Sequence, residues 1–446
     1  MFDWHNSAVC RAKRGWIVIN LRQFQLLGEE IHAKLKRHSF DEKALPAVAA
    51  EALSIIELEN DFRLDELAEF VIATKIAQRV DEFSNLPLTV YRCEEFFIQI
   101  LVWMDATTAI HQHAFSGAFR VLVGSSLHSV YEFNERERIN SQFLLGDVRL
   151  KMAEILRTGD VRPIHPGSTD FVHALFHLDR PSVTVVVRNY YEPWAAPQYT
   201  LELPDIAFNE DGLSCDQRVK LFCRLLAAAG DLNQEEAVDL LISKGTILDF
   251  PRLFIVLRQN YHLLSAELDW NNFINTALDV HGQLAGHLTP WVRSKKRETS
   301  LVLARKEVKD SELRFFLALL LNLPSRTWIY RLIREKFPES SAEDLCCQWL
   351  KRLREQERLS SAFIELAKKA NLGSDLFRAR LNAAVPFERS DPRSEAFLRA
   401  AVTRVSQQDF KAYLEEAIGD GIESTRALDA YARLRQVTEL DPLFID

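Results

Sequence analysis

The spacing of apolar residues changes twice along the chain, and the first pattern is helical. Over residues 64–83 apolar side chains recur at three- and four-residue steps, and residues 41–58 are rich in Ala, Leu and Glu. Steps of three and four place side chains on one face of an α-helix. The sequence therefore predicts a helical N-terminal segment over residues 1–86, packed on the domain that follows it.

The middle of the chain has the composition of β-strands. Runs rich in β-branched and aromatic side chains cover residues 88–92, 96–103, 119–123, 129–133 and 182–187. Residues that favour turns lie between them, namely Gly117, Gly124, Gly146, Gly159, Pro163, Pro166 and Gly167. Many short strands with such corners are typical of a sandwich or barrel. We expect a small β-barrel of the jelly-roll type within residues 87–207.

The third pattern begins near residue 213 and is helical to residue 446. Residues 315–321 are apolar all round, which predicts a buried central helix, and residues 407–437 predict two helices separated at Gly419. Residues 193–214 are the best linker candidate. The predicted fold class is thus α+β, with a helical N-terminal segment, a β-barrel and a large all-α C-terminal domain over residues 208–446.

Composition and charge limit the class of protein. The chain has 446 residues, 47% of them hydrophobic and 26% charged, with a formal net charge of −8. This is ordinary for a globular protein of two to three domains at roughly 150 residues each. The negative charge makes a nucleic-acid partner unlikely. The apolar runs are shorter than the ~18 residues of a membrane span, and six scattered cysteines form no C-x-x-C pair. We therefore expect a cytoplasmic protein with no membrane partner.

Three histidines in the barrel region form a candidate metal site. His111 and His113 are two residues apart, so on a strand both imidazoles point to the same face. His173 follows a Pro-Gly turn and precedes a predicted strand, which allows it to face the first pair. Imidazole nitrogen binds iron, zinc, nickel or copper well. The alternative is that these are hydrogen-bonded core residues. His128 is expected on the far side of its strand, with a structural role.

These motifs resemble the two metal-binding motifs of the cupin superfamily. The likeness lies in the H-x-H of residues 111–113, the closing Gly124 and the later P-G…H ending at His173. Many cupins carry a glutamate where this chain has Gly117, so the resemblance is to cupins with three histidines. Residues 103–113 and 121–133 are most similar to thiol dioxygenases of the cysteine dioxygenase type. The likeness covers about residues 60–192 and implies a cupin-type barrel.

The resemblance implies roles for particular residues. His111, His113 and His173 would bind Fe(II), and Arg92 would hold a substrate carboxylate, unless it is a surface residue paired with Glu94 or Glu95. The family's Ser-His-Tyr series is replaced by Thr184, Val186 and Arg188, so Arg188 and Tyr190 are the remaining catalytic candidates. His177 and Tyr191 are candidates for orienting the ligands. The cysteine that crosslinks to the family's tyrosine has no counterpart near Ala118, which puts specificity for small cysteine-like thiols in doubt.

The expected function is therefore an Fe(II)-dependent oxygenase that oxidises a small thiol- or carboxylate-bearing metabolite with O2. Two alternatives stay open. Zn, Ni or Mn in the same site would support hydrolysis or isomerisation as a Lewis acid. A non-catalytic barrel would sense a metal or ligand while the helical half binds a protein partner. The helical half could equally form a homodimer or cover the barrel.

Overall fold

A computed structural model describes most of the chain. The described residues are 21–56, 70–72, 74–76, 78, 84–104, 109–166, 171–190, 198–209, 213–228, 234–259, 270–355, 374–389, 391–403, 407–418 and 424–446. Along these ranges a pair of N-terminal helices is followed by a two-sheet β-barrel and then by a large helical region. The fold class predicted from the sequence is thereby confirmed. The predicted domain boundaries stay a prediction.

The N-terminal helices cover one face of the barrel. They are α1 (Leu21–Arg37) and α2 (Leu45–Ile55), joined through a 3₁₀ turn at Glu42–Ala44. Their buried apolar residues, such as Ile31 and Leu53, form one core with strand residues such as Ile98. The helical pattern of residues 41–58 is therefore confirmed over Glu42–Ile55, and residues 57–58 lie outside the described residues. The one predicted over residues 64–83 lies mostly outside the described residues; residues 70–72 are helical and 74–76 are not.

The barrel consists of antiparallel strands in two sheets. Its strands are β1 (Leu86–Arg92), β2 (Phe96–Trp103), β3 (Ile110–His111), β4 (Gly117–Val123), β5 (Ser125–Asn140), β6 (Phe143–Arg157), β7 (Val161–Ile164), β8 (Val172–His177), β9 (Ser182–Asn189), β10 (Tyr199–Glu202) and β11 (Ile206–Asn209). One sheet has the order β1-β2-β9-β4-β7. The other closes into a ring in the order β10-β11-β6-β5-β8-β3.

The two sheets enclose an apolar core. Leu101, Phe119 and Val186 from the five-stranded sheet meet Leu156 and Leu175 from the ring. Period-two alternation along each strand sends the other side chains outward. A pocket lies between these two sheets.

The predicted linker over residues 193–214 is wrong in part. Strands β10 and β11 lie inside it and form a hairpin that closes the ring, with Thr200 opposite His111 and Phe208 opposite Phe143. Each of the two strands has four residues. Strands this short carry too little periodicity to be recognised in the sequence.

The C-terminal region is built from helices. They are α3 (Leu213–Ala228), α4 (Gln234–Lys244), α5 (Asp249–Gln259), α6 (Trp270–His281), α7 (Leu288–Glu307), α8 (Ser311–Asn322), α9 (Arg326–Lys336), α10 (Ala342–Glu355), α11 (Ser374–Ala384), α12 (Pro392–Thr403), α13 (Gln407–Ile418) and α14 (Ser424–Leu434). Segments Gly282–His287 and Thr438–Phe444 are 3₁₀ helices. None of the described helices is both long and apolar enough to cross a membrane.

Two apolar cores join these helices to the outer face of the ring. Phe208 of β11 packs in one core with Trp291, and Phe176 of β8 packs in the other with Phe316. Helix α7 contributes to both cores. Every residue of α8 from Leu313 to Leu320 is buried, which confirms the predicted central helix. The helical region is thus packed directly against the strands that carry the candidate site.

Candidate metal centre

Neighbouring strands bring the three predicted ligands together. His111 ends the two-residue strand β3 and lies in register with His173 of β8 on one side and Thr200 of β10 on the other. His113 follows two residues later, just beyond the strand. Because residues i and i+2 face the same side of extended backbone, both imidazoles point into the barrel.

The geometry of the three side chains fits a metal ion. Their ligand nitrogens all lie within 4.8 Å of one another, and the Nε2 atoms of His113 and His173 are 2.9 Å apart. Ligand nitrogens about 2.1 Å from a metal and at right angles would be about 3 Å apart. His111, His113 and His173 are at most 4% exposed. An imidazole trio is a donor set suited to Fe, Zn, Ni or Cu.

The protonation pattern of His111 is set by its backbone neighbour. Its Nδ1 lies 2.7 Å from the carbonyl oxygen of Ala109. A carbonyl only accepts, so Nδ1 carries the hydrogen and donates it. The ring's lone pair is then on Nε2, the atom available to a metal.

His173 is oriented by a residue to which the sequence assigned a structural role. The Nε2 atom of His128 lies 3.0 Å from Nδ1 of His173, and Nδ1 of His128 lies 2.9 Å from Oε1 of Glu154. The side chain of His128 therefore points into the barrel, not to the far side as expected. The neighbouring Leu127 packs against the C-terminal helices, in the core that contains Phe316. Because successive side chains of a strand point to opposite faces, His128 points into the barrel.

Burial keeps His113 and His173 neutral. It lowers the pKa values of His113 and His173 well below the usual range, with further lowering by the neighbouring imidazoles. Neutral imidazole is the form that binds metals. Burial alone would raise the pKa of Glu154, but hydrogen bonds from His128 and Arg162 outweigh it and hold that pKa at about 2.

A cavity lies between the two sheets, beside the trio. It has about 550 Å³ of atom-free space, part of it open to solvent. Its lining residues are Gln99, Leu101, Trp103, His111, His113, Phe115, Phe119, Ile164, His173, Leu175, Thr184, Val186 and Arg188. The lining is mostly apolar, with a few polar groups beside the histidines.

Arg188 is the permanently charged residue of this lining. Its guanidinium carbon is 4.9 Å from the ring centre of Phe97 and 4.5 Å from that of Phe115. Aromatic faces attract a cation and limit its motion. Its charge also contributes to the low pKa of His113. Arg188 thus presents a cation close to the histidine trio.

The remaining predicted residues lie elsewhere. His177 is buried on β8, where its Nδ1 lies 3.1 Å from the hydroxyls of both Ser126 and Ser182 and its ring stacks on Trp103. His177 therefore contacts Trp103, which lines the cavity, but His177 is not itself part of the lining.

Arg92 and Tyr190 lie at the barrel surface. Nε of Arg92 donates to the hydroxyl of Tyr190 at 2.8 Å, and that hydroxyl donates to the carbonyl of Cys93. Neither residue lines the cavity. Tyr191 lies outside the described residues. The catalytic roles of these residues stay predictions.

A second group with metal-binding atoms is half-buried at the barrel surface. It consists of His32 of α1 with Cys93 and Glu95 of the β1–β2 turn. His32 Nδ1 lies 3.4 Å from Glu95 Oε2. This polar contact joins the helix to the hairpin, and the group is a competing site that metal-binding experiments must separate from the trio.

Comparison with known proteins gives structural likenesses only. No protein-family model matches the chain, and no curated protein does. Solved structures match parts of it at low identity. They include a DMSP lyase structure, a cupin-2 domain protein from Shewanella frigidimarina and hydroquinone 1,2-dioxygenase from Sphingomonas sp. TTNP3.

The extent of these likenesses is small. Identities are 17%, 11% and 12%, and TM-scores are 0.15, 0.18 and 0.20, in the same order. The matches cover 21%, 31% and 28% of this chain, and 38%, 96% and 72% of the other chains. The chain thus spans less than half the length of the DMSP lyase chain that it matches. The geometry of the site itself carries the functional argument.

Proposed function

We propose that the protein is a non-haem Fe(II)-dependent oxygenase. His111, His113 and His173 would hold the metal, and a small substrate with an anionic group would bind beside it in the cavity. The observation that supports this most is the convergence of three buried imidazoles at the wall of an apolar pocket. Iron held there would supply the electron chemistry that activates dioxygen.

The charge of the site favours an anionic substrate group. Three imidazoles add no negative charge, so a divalent ion keeps its full charge. Arg188 adds a further cation to the same wall. Because the aromatic rings of Phe97 and Phe115 flank its guanidinium, that cation is held in place for a carboxylate or thiolate.

The apolar lining defines the rest of the substrate. Side chains such as Leu101, Phe119 and Val186 surround the space, and polar contacts come from Gln99 and Thr184. Gln99 and Thr184 also hydrogen-bond to Thr89 and Trp103, respectively. A substrate with a small apolar body and one anionic end fits this lining better than a sugar or nucleotide.

The test is metal reconstitution followed by oxygen uptake. Metal-free protein would be loaded anaerobically with Fe(II), Zn, Ni or Mn, then assayed with panels of small thiols and carboxylates. Wild-type protein should bind one Fe(II) at the trio and consume oxygen with some of these substrates. His173→Ala should bind at least about 100-fold less Fe(II), because removing a ligand exceeds the 10–100-fold effect of losing a ligand's supporting hydrogen bond.

The Cys93→Ser variant is the matched control, since it disables the competing surface group and leaves the trio intact. It should retain full iron binding and oxygen uptake. Unchanged oxygen uptake in His173→Ala would overturn the proposal. Turnover with Zn, Ni or Mn and without oxygen would replace it with Lewis-acid hydrolysis or isomerisation.

A further inference from the structure

We infer that Glu154 and His128 are positioning residues that fix the tautomer and orientation of the metal ligand His173. The inference rests on the metal-binding part of the proposed function and is independent of the reaction. The three residues form a hydrogen-bonded chain, called here the Glu154–His128–His173 relay. Distances along it are 2.9 Å and 3.0 Å.

Strand register builds this relay. Strand β5 lies between β6 and β8, and His128 is directly opposite Glu154 of β6. On its other side Val130 is opposite His173, so His128 and His173 are diagonal neighbours. Diagonal cross-strand neighbours are within reach of long and aromatic side chains.

The direction of each hydrogen bond follows from the carboxylate. Arg162 donates to both carboxylate oxygens of Glu154, at 2.9 Å from Nε and 2.5 Å from Nη2. An ionised carboxylate only accepts, so Nδ1 of His128 must carry the hydrogen that it receives. With this one hydrogen on its ring, His128 has a lone pair on Nε2, which accepts from Nδ1 of His173. The lone pair of His173 is consequently on Nε2, which faces His113.

His113, whose Nε2 lies 2.9 Å from Nε2 of His173, has no comparable hydrogen bond behind its ring in the described part of the chain. Nδ1 of His113 is buried and has no hydrogen-bond partner among the described residues. The pair therefore contains one ring fixed at its Nδ1 by a relay and one whose Nδ1 side is held by packing, for example against Phe115. A hydrogen-bonded carboxylate behind a ligand histidine fixes the ring and raises its basicity. We expect the relay to contribute 10–100-fold to metal affinity, on the order of other such partners.

The experiment uses the full chain and two readouts that do not depend on catalysis. Ring nitrogen-15 NMR of the metal-free protein reports which nitrogen of His173 carries the hydrogen, and competition with a chelator gives the affinity for Zn²⁺. His128→Leu removes the acceptor for His173. His128→Gln can restore both hydrogen bonds, and Glu154→Gln keeps an oxygen for His128 but removes the charge and one of the two hydrogen bonds from Arg162. Glu137→Gln and His165→Gln are controls at exposed positions.

In wild-type protein His173 should be the Nδ1–H tautomer. In His128→Leu it should become a mixture, and Zn²⁺ affinity should fall about 10–100-fold. Glu154→Gln should lose less affinity, His128→Gln should recover part of the loss, and both controls should bind as wild type does.

A folded His128→Leu variant with the wild-type tautomer and affinity would overturn the inference. If that variant does not fold, an unchanged tautomer and affinity in both His128→Gln and Glu154→Gln would do so. Because Zn²⁺ is the probe, absence of oxygenase activity would reject the proposed function and leave this test valid.

Discussion

The barrel cavity and a cleft among the C-terminal helices differ in how their charges are arranged. The cleft has about 1120 Å³ of atom-free space and is lined by Arg326, Thr327, Tyr330, Arg334, Glu343, Arg399, Thr403, Tyr413 and Asp446. Each arginine there has a carboxylate partner: Arg326 pairs with Asp446, Arg334 with Glu343, and Arg399 with Asp344. Its charges largely cancel.

The lining of the barrel cavity has a different composition. Arg188 contributes a cation, and no carboxylate occurs among the described residues of its lining. Glu154 is not part of this lining, and its carboxylate accepts hydrogen bonds from His128 and Arg162. The larger and more polar cavity therefore has charges of both signs in its lining, whereas the described lining of the smaller apolar one includes a cation and no carboxylate.

Removal of the Arg188 charge should have the largest effect among the tests of this difference. We expect Arg188→Leu to weaken binding of a small carboxylate, butyrate, to the Zn²⁺-loaded protein about 10–100-fold, since hydrogen bonds to charged groups contribute 1.5–3 kcal/mol. Calorimetry would measure this, with butanol as the uncharged comparison. Equal weakening for butanol would show that the variant damages packing, and unchanged butyrate affinity would break the proposed contrast.

The buried His177 should make the barrel sensitive to acid. Burial, together with the charge of Arg305, lowers its pKa to about 3, against about 6.5 in an unfolded chain. Below pH 6.5 the unfolded state binds a proton that the folded state does not, so stability falls as pH falls, by about 1.4 kcal/mol per unit. From pH 6.5 to 5 His177 should therefore cost about 2 kcal/mol.

Urea unfolding of metal-free wild-type and His177→Gln protein across this pH range would test the expectation. The variant retains polar atoms for Ser126 and Ser182 and should show a shallower loss of stability. His165→Gln is the control, because His165 is exposed and should leave the slope unchanged. Equal slopes in all three proteins would contradict the assignment of this proton to His177.

The ion pairs of the helical cleft should have the smallest effect. Arg334 and Glu343 are 3.7 Å apart, and their side chains are 62% and 35% exposed. Exposed pairs of this kind contribute less than about 1 kcal/mol. Arg334→Gln should change the free energy of unfolding by less than about 0.5 kcal/mol and leave butyrate binding unchanged. A loss of butyrate binding would place an anion site in the cleft as well.

Much of the architecture was predictable because its signals are local. The run over residues 96–103 coincides with β2, and the apolar run over residues 315–321 lies in the buried helix α8. The two-residue spacing of His111 and His113 was enough to place both rings on one face. Composition and periodicity can be read from a few neighbouring residues, and these features can be predicted from such local information alone.

The relay was not predictable because it depends on strand register. His128 and Glu154 are 26 residues apart and meet across a hairpin whose pairing shifts at three places. A shift of one residue would send either side chain to the other face of the sheet. The outer half of β5 is also polar and exposed, for example at Glu135 and Arg136, so its sequence does not resemble a strand. The hairpin's length, and with it the register, follows from tertiary contacts.

The position of β3 has a practical consequence for dissecting the protein. This strand has two residues, and its hydrogen-bonded neighbours are β8 on one side and β10 on the other. A fragment cut after β9 would retain all three ligand histidines but remove the strand that pairs with His111. The smallest autonomous metal-binding fragment should therefore extend at least to Asn209, where β11 completes the ring. A recombinant fragment chosen only to include the three histidines would lack part of the barrel wall that holds them.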